Sequence, residues 1–472
     1  MVVTPFALIV LLLGTIELFR GTPLTMFLLF LFATLFGGSA AFILVAAGGS
    51  SIPPAQFLLM FLALRLLLPG RGQMDALKRA VWKNRFLVTF VGYGVISAFT
   101  LPTIFARTMS VTPLKPIPGA DLFAVRPLHM TPQNFTTAFY LVGTLIAGIA
   151  ATAAMQRPGA PARLVKLGSI IAIVHAAFGF SSVILAGTVW DQVLGLFRNG
   201  NYAQLNQSFS GLVRMNGIWP EPSGFAAYGT TWCIFMIELW LRDVASRRTG
   251  FAGLLLLLAL IASTSSTAYV SLGAYGLFSL IRFALTPGAM PARKQLILIA
   301  LTLLGFALVL TAFVVIPSLA SKVTHILALM TVDKSESVSG IQRAFWAKQG
   351  IDIFFNSYGL GIGAGSFRSS SLLTAILGSM GIIGAVAFTC HLVQAVQPFR
   401  RDFLVLRNLD LERAVGGAAS TTALLMLASS MISAPSPDPG ILWAVVCGIA
   451  LALQPTPQRR PPHRHANRMA TA

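Results

Sequence analysis

Charge is what this sequence has least of. Asp, Glu, Lys and Arg make up 10% of its 472 residues, against 56% hydrophobic, and the mean hydropathy is +0.78. A soluble domain of this length needs far more charge to cover its surface, so a soluble globular enzyme is excluded. Cysteine is almost absent. Cys233, Cys390 and Cys447 each sit inside an apolar run without metal-ligand spacing, which excludes a disulfide framework and a zinc site and leaves three inert thiols. Acids are scarce as well, 14 against 34 Lys and Arg. The resulting net charge of +20 does not make a nucleic-acid surface, because the basic residues fall in short clusters between apolar runs.

What the chain has in abundance is long apolar runs. A membrane span takes about 20 mostly apolar residues, and such runs recur at 2–19, 23–47, 54–70, 86–105, 135–155, 167–190, 221–241, 296–318, 371–395, 416–434 and 439–454. Residues 251–284 are too long for one span and carry STSSTAY at 263–269, which predicts a helical hairpin with a polar tip. The expected fold is all-α, a single polytopic membrane domain of about 12–13 transmembrane helices, with residues 1–190 forming N-terminal helices and 455–472 a basic tail. The first run has no basic flank before it and no small-residue cleavage site, so it is expected to remain as a span.

Orientation follows from the basic clusters. Segment 71–85 holds Arg71, Lys78, Arg79, Lys83 and Arg85, and placing it in the cytoplasm puts 23 of the 34 basic residues on that side and ten outside. Arg65, near the end of its run, is expected to snorkel toward that segment. His129 reads as a solvated loop residue, His175 as a hydrogen-bonded residue within a span, and His463 and His465 as tail.

The informative charges are those the orientation rule leaves outside: Arg107, Lys115, Arg126, Arg198, Arg214, Lys322, Lys334, Arg343, Lys348 and Arg368. Three adjoin unusual stretches. In RMNGIWPEPSGFAAY (214–228) the order Trp219, Pro220, Glu221, Pro222, Ser223 precedes an unbroken apolar run, so Glu221 is predicted at a helix start, where the helix dipole favours a carboxylate. Two readings follow: a helix cap, or an acid at the water–lipid boundary that orients a hydroxyl or takes its proton. The outer segment 319–370 contains Arg343 and Trp346 on one helical face, Lys348, and GLGIGAGS at 359–366 before Arg368 and Ser369 to Ser371. Flexible backbone N–H groups there would suit an anion-binding turn; an interfacial turn is the plainer reading. With no Gly-Lys-Ser following and no strand before it, the run is not a nucleotide P-loop.

Taken in order, EPSGFA at 221–226, STSSTAY, the Arg343–Trp346 helix and GLGIGAGSFRSSSLL at 359–373 followed by GSMGIIGAVAF resemble the O-antigen polymerase and ligase superfamily of bacterial envelope glycosyltransferases. The likeness covers residues 210–395. It implies an inner-membrane enzyme acting on glycan linked to polyprenyl pyrophosphate, without cofactor or metal, with membrane lipid and a chain-length regulator or other export proteins as partners and no nucleic acid. On this likeness the catalytic candidates are Glu221, Arg343, Arg368, Arg214 and His325, and the substrate-binding ones Ser223, Trp346, Gly363, Gly365, Ser366 and Ser370. No ligase-type histidine motif follows the glycines, which favours a polymerase over a ligase. A transporter or flippase of the same lipid-linked sugars is the rival from another class; it calls for ionisable residues inside the membrane, where the sequence suggests only His175 and His391.

Overall fold

The computed structural model describes residues 2–44, 50–70, 72–115, 119, 121, 123–200, 208–209, 212–286, 288–315, 338–407 and 409–455. His325, Lys322, Lys334 and most of the tail lie outside them. Among the described residues are sixteen α-helices: α1 (Pro5–Arg20), α2 (Pro23–Ala33), α3 (Pro54–Leu67), α4 (Gln73–Lys83), α5 (Arg85–Ile104), α6 (Pro132–Met155), α7 (Ala160–Ile184), α8 (Trp190–Phe197), α9 (Pro222–Leu241), α10 (Ser246–Ala262), α11 (Ser266–Leu285), α12 (Ala292–Val315), α13 (Val338–Asn356), α14 (Leu372–Val396), α15 (Leu411–Ser433) and α16 (Ile441–Ala452). The chain is an all-α polytopic membrane protein. Six helices, α5, α6, α7, α11, α14 and α15, are long and apolar enough to cross a membrane, and α2, α3 and α16 are apolar but shorter.

Local sequence sets where these helices begin. Proline opens α1, α2, α3, α6 and α9, where its fixed φ suits the first turn and its missing N–H is not needed. The polar 263–265 stretch separates α10 from α11, giving the hairpin read from the sequence. One buried hydrophobic cluster runs through the helices from both ends of the described chain, with α16 packed most extensively on α6, α10 on α9 and α14 on α5.

Three features depart from the sequence reading. The run 23–47 is α-helical to Ala33 and closes in a 3-10 turn at Thr34–Phe36; Phe42–Leu44 then pairs with Val2–Val3 and Ser50–Ile52 in a small antiparallel sheet. The cause lies in packing: a Cβ on Gly37 would enter the Trp219 ring, and one on Gly38 would meet the Ile218 carbonyl, so this turn yields to the segment leading into α9. Arg65 does more than snorkel, because its Nε and Nη2 donate to the Gly21 carbonyl at 3.1 and 2.7 Å and brace the α1–α2 turn.

The third departure concerns buried charge. His175 and His391 are not the only ionisable groups inside the bundle. Glu238 near the end of α9 is fully buried and accepts from Arg282 Nη1 and Nη2 at 2.9 and 3.0 Å, from the Tyr275 hydroxyl at 2.9 Å, and from Arg242. These four side chains join α9 to α11 at the basic end. Arg242 and Arg282, assigned by the sequence to cytoplasmic turns, are therefore interior.

Candidate functional site

Glu221 and the first basic turn after α9 lie about 30 Å apart along the helix axis, so the site is built at the end opposite the Glu238 cluster. The approach to α9 is fixed by the chain itself. Arg198 Nε donates to the Gly217 carbonyl at 2.8 Å, the Gly217 N–H donates to Ser182, and the Trp219 N–H donates to the Asn216 carbonyl at 2.8 Å. Gly217 has φ +53°, a left-handed turn that glycine adopts without strain. Trp219 stacks obliquely on Tyr228, ring centroids 5.0 Å apart.

Glu221 occupies the N-cap position of α9, with Pro222 in the first turn, as the sequence predicts. Its side chain makes no capping hydrogen bond. The carboxylate is exposed, and its charge supports the protonated forms of two guanidiniums, Arg214 and Arg368, whose pKa values burial lowers. The Glu221 side chain thus makes no cap hydrogen bond, and its charge acts on Arg214 and Arg368.

The two arginines come from distant parts of the chain. Arg214 Nη2 donates to the Thr264 carbonyl at 3.1 Å, so the polar tip of the α10–α11 hairpin holds it. Tyr269 of the same STSSTAY stretch is near enough to feel the Arg214 charge. Arg368 lies over the Trp346 ring, 4.5 Å from its centroid, and its Nη1 donates to the Leu114 carbonyl at 3.3 Å. Its backbone N–H donates to Thr112, whose own N–H donates to Gln349 on α13. Val111, Leu128, Ile353, Ile362 and Phe367 form a small core beneath this clamp. Thr112 and Leu114, between α5 and α6, are thus the residues that aim Arg368.

Arg343 is placed differently. It is exposed on α13, and its carbonyl accepts from the Ser370 hydroxyl at 2.6 Å. Arg343 and Trp346 do not act as one face: Trp346 is buried under Arg368. Lys348 is exposed two residues on from Trp346, and Ser223 is half-buried in the first turn of α9.

The glycine run has a packing role. Residues 361–366 are all buried. The N–H groups of Gly361, Ile362 and Gly363 are committed to Ser357 Oγ and to the Gly378 and Ser379 carbonyls. A Cβ on Gly363 would run into the Ser97 carbonyl and Pro102, and Gly365 lies against the Gln133 carbonyl. Ser366 Oγ donates to Ile362 and accepts from Asn134 Nδ2 at 2.9 Å. Gly363, Gly365 and Ser366, taken from the resemblance as substrate-binding, instead lock this segment against α5, α6 and a break in α14 at Gly381.

Beside the charged cluster is a cavity of ≈ 290 Å³, which the sequence did not reveal. Trp219 and Gly224 form its wall nearest Glu221, Tyr228 and Thr231 continue it down α9, and Ser430 and Trp443 close it from α15 and α16. Pro439 and Gly440 of the turn before α16 also line it, and there Asp438 Oδ1 accepts from Thr144 at 2.8 Å and from the Gly440 N–H at 3.0 Å. Burial raises the pKa of Asp438 and these two hydrogen bonds partly offset it. No group of three His, Cys, Asp or Glu side chains suited to a metal occurs among the described residues.

No family model, curated protein or solved structure matches this chain.

Proposed function

We propose that this protein is a membrane glycosyltransferase that joins glycan carried on polyprenyl pyrophosphate to a hydroxyl of another lipid-linked repeat, a polymerase of the O-antigen or exopolysaccharide kind. One observation carries the reading: an uncapped, exposed Glu221 at the start of α9 lies within charge range of Arg214 and Arg368, at one end of a membrane bundle. An anion flanked by two cations beside apolar helices suits a reaction in which a hydroxyl and a pyrophosphate meet at the membrane surface.

The acceptor oxygen bonds to the anomeric carbon as the bond from that carbon to the pyrophosphate oxygen breaks, and the electron pair departs with the lipid pyrophosphate. Arg214 and Arg368 stabilise that growing negative charge through charge-assisted hydrogen bonds, which strengthen where water is sparse. Glu221 orients the acceptor hydroxyl and receives its proton. Its place at the head of α9 beside two cations suits it to hold that hydroxyl toward the anomeric carbon. Arg343, exposed on α13, is a secondary contact for the arriving glycan.

The test uses purified protein in lipid with a pyrophosphate-linked oligosaccharide repeat. Wild type is expected to yield a ladder of longer chains, and Glu221→Gln and Arg368→Ala to lose most of it while remaining folded. Movement of the substrate across the bilayer with no ladder would instead identify a flippase. Transfer of the glycan only to an acceptor without a lipid pyrophosphate would identify a ligase.

A further inference from the structure

We infer that the cavity beside Glu221 binds the first isoprene units of the polyprenyl chain, so that the lipid is held by α9, α15 and α16 while its phosphate end meets Arg214 and Arg368. This rests on the transferase reading and adds to it a lipid subsite made of residues outside the charged cluster.

Position is the first reason. Gly224, Ala227, Tyr228 and Thr231 fall on neighbouring sides of α9 and line the cavity one below the other. The uppermost lies directly under the carboxylate: a Cβ on Gly224 would sit 3.9 Å from Glu221 Cγ and 3.1 Å from the Trp219 ring. The cavity thus starts where the charged groups end and runs along a helix of the bundle. A chain leaving a phosphate held at the arginines and heading for hydrocarbon follows this line.

Chemistry is the second reason. The walls carry hydroxyls, which at first suggest a sugar, yet their protons are spent. Thr230 donates to Ala226 and Thr231 to Ala227, at 2.6 and 3.1 Å, and Ser429 and Ser430 both donate to Met426, at 3.1 and 3.2 Å. The Tyr228 hydroxyl pairs with Thr34 at 3.0 Å. A sugar ring needs donors and acceptors in roughly equal supply, and apart from the Trp219 Nε1–H, which has no partner among the described residues, an occupant here would meet Met426, Ile441, Leu442 and the rings of Trp219 and Trp443. Those surfaces reward apolar area. Size agrees, since ≈ 290 Å³ is at the small end of ligand cavities, enough for a short stretch of chain and too little for an oligosaccharide repeat.

Undecaprenyl phosphate, which has no sugar to transfer, is the probe for the full-length protein in detergent. Its affinity is measured by native mass spectrometry alongside that of inorganic pyrophosphate, which has the anion without the chain. Ala227→Phe and Ser430→Phe fill the cavity and are expected to weaken undecaprenyl phosphate by about tenfold, the loss of roughly two buried methylenes, with pyrophosphate affinity unchanged. Arg368→Ala should weaken both. A benzophenone placed on the first isoprene unit should crosslink to peptides of α9 and α15 in the wild type, which keeps the question answerable where a filled variant folds poorly. Unchanged undecaprenyl phosphate affinity in both folded variants, crosslinks elsewhere in the bundle, or no binding by wild type would overturn the inference. Chain-dependent binding without any glycan ladder would leave the lipid subsite standing and remove the polymerase.

Discussion

The guanidinium of Arg368 lies over the ring of Trp346, 4.5 Å from its centroid, and the two residues are held there by a loop that precedes them by more than two hundred positions. The stack leaves the edge of the guanidinium to a ligand while fixing its plane. Trp346→Ala should therefore reduce transfer by about two- to thirtyfold, the range expected for a cation–π contact worth about 0.5–2 kcal/mol. Arg368→Lys should fare no better, because an ammonium neither stacks nor forks. Rates of ladder formation under single-turnover conditions measure both.

Arg343 and Arg368 are predicted to part company. Arg343→Ala should keep at least about a tenth of wild-type transfer, and Arg368→Ala about a hundredth or less, since only the latter removes a charge held against Glu221 in a partly desolvated setting. Equal losses in the same assay would place Arg343 at the reacting atoms.

Asp438 supplies a pH dependence. Burial raises its pKa in the folded protein, so the folded state holds the proton more tightly than the unfolded chain. Stability from this group is greatest below the unfolded carboxyl pKa, falls as pH rises toward the raised folded value, and is level above it. Asp438→Asn removes that fall. The variant's melting temperature relative to wild type should climb between acid and neutral pH, read by thermal unfolding in one detergent at constant ionic strength.

The Glu238 cluster predicts a structural effect with no change in substrate handling. Arg282→Ala leaves a fully buried carboxylate with Arg242 and Tyr275 alone, and breaking such a pair costs about 3–5 kcal/mol. The yield of folded, monodisperse protein should drop sharply. Whatever folds should bind undecaprenyl phosphate with wild-type affinity, since α9 carries the two sites at opposite ends.

Gly381 tests the packing role of the glycine run. It has φ +58° within α14, and a Cβ there would collide with the Gly359 carbonyl. Gly381→Ala should destabilise the protein as strongly as a core cavity, by about 2–5 kcal/mol, with loss of Arg368 function following from the displaced 359–368 segment. Thermal unfolding and pyrophosphate affinity together check this.

Sequence alone determined the class of molecule and the start of its principal helix. Burial of backbone in a membrane requires long apolar helices, so hydropathy located nearly every one of them, and the prolines at 220 and 222 placed Glu221 at the head of α9 because proline suits the first helical turn. Tertiary structure decided which charges meet. Arg214 is steered by the α10–α11 tip, Arg368 by Trp346, Thr112 and Leu114, and Glu238 gathers Arg242 and Arg282, which loop composition had put at the surface. These pairings depend on contacts between residues far apart in the chain, about which local propensity and hydropathy carry no information. The cavity beside Glu221 belongs to the same group: it is a space between three helices, and no single segment encodes a space.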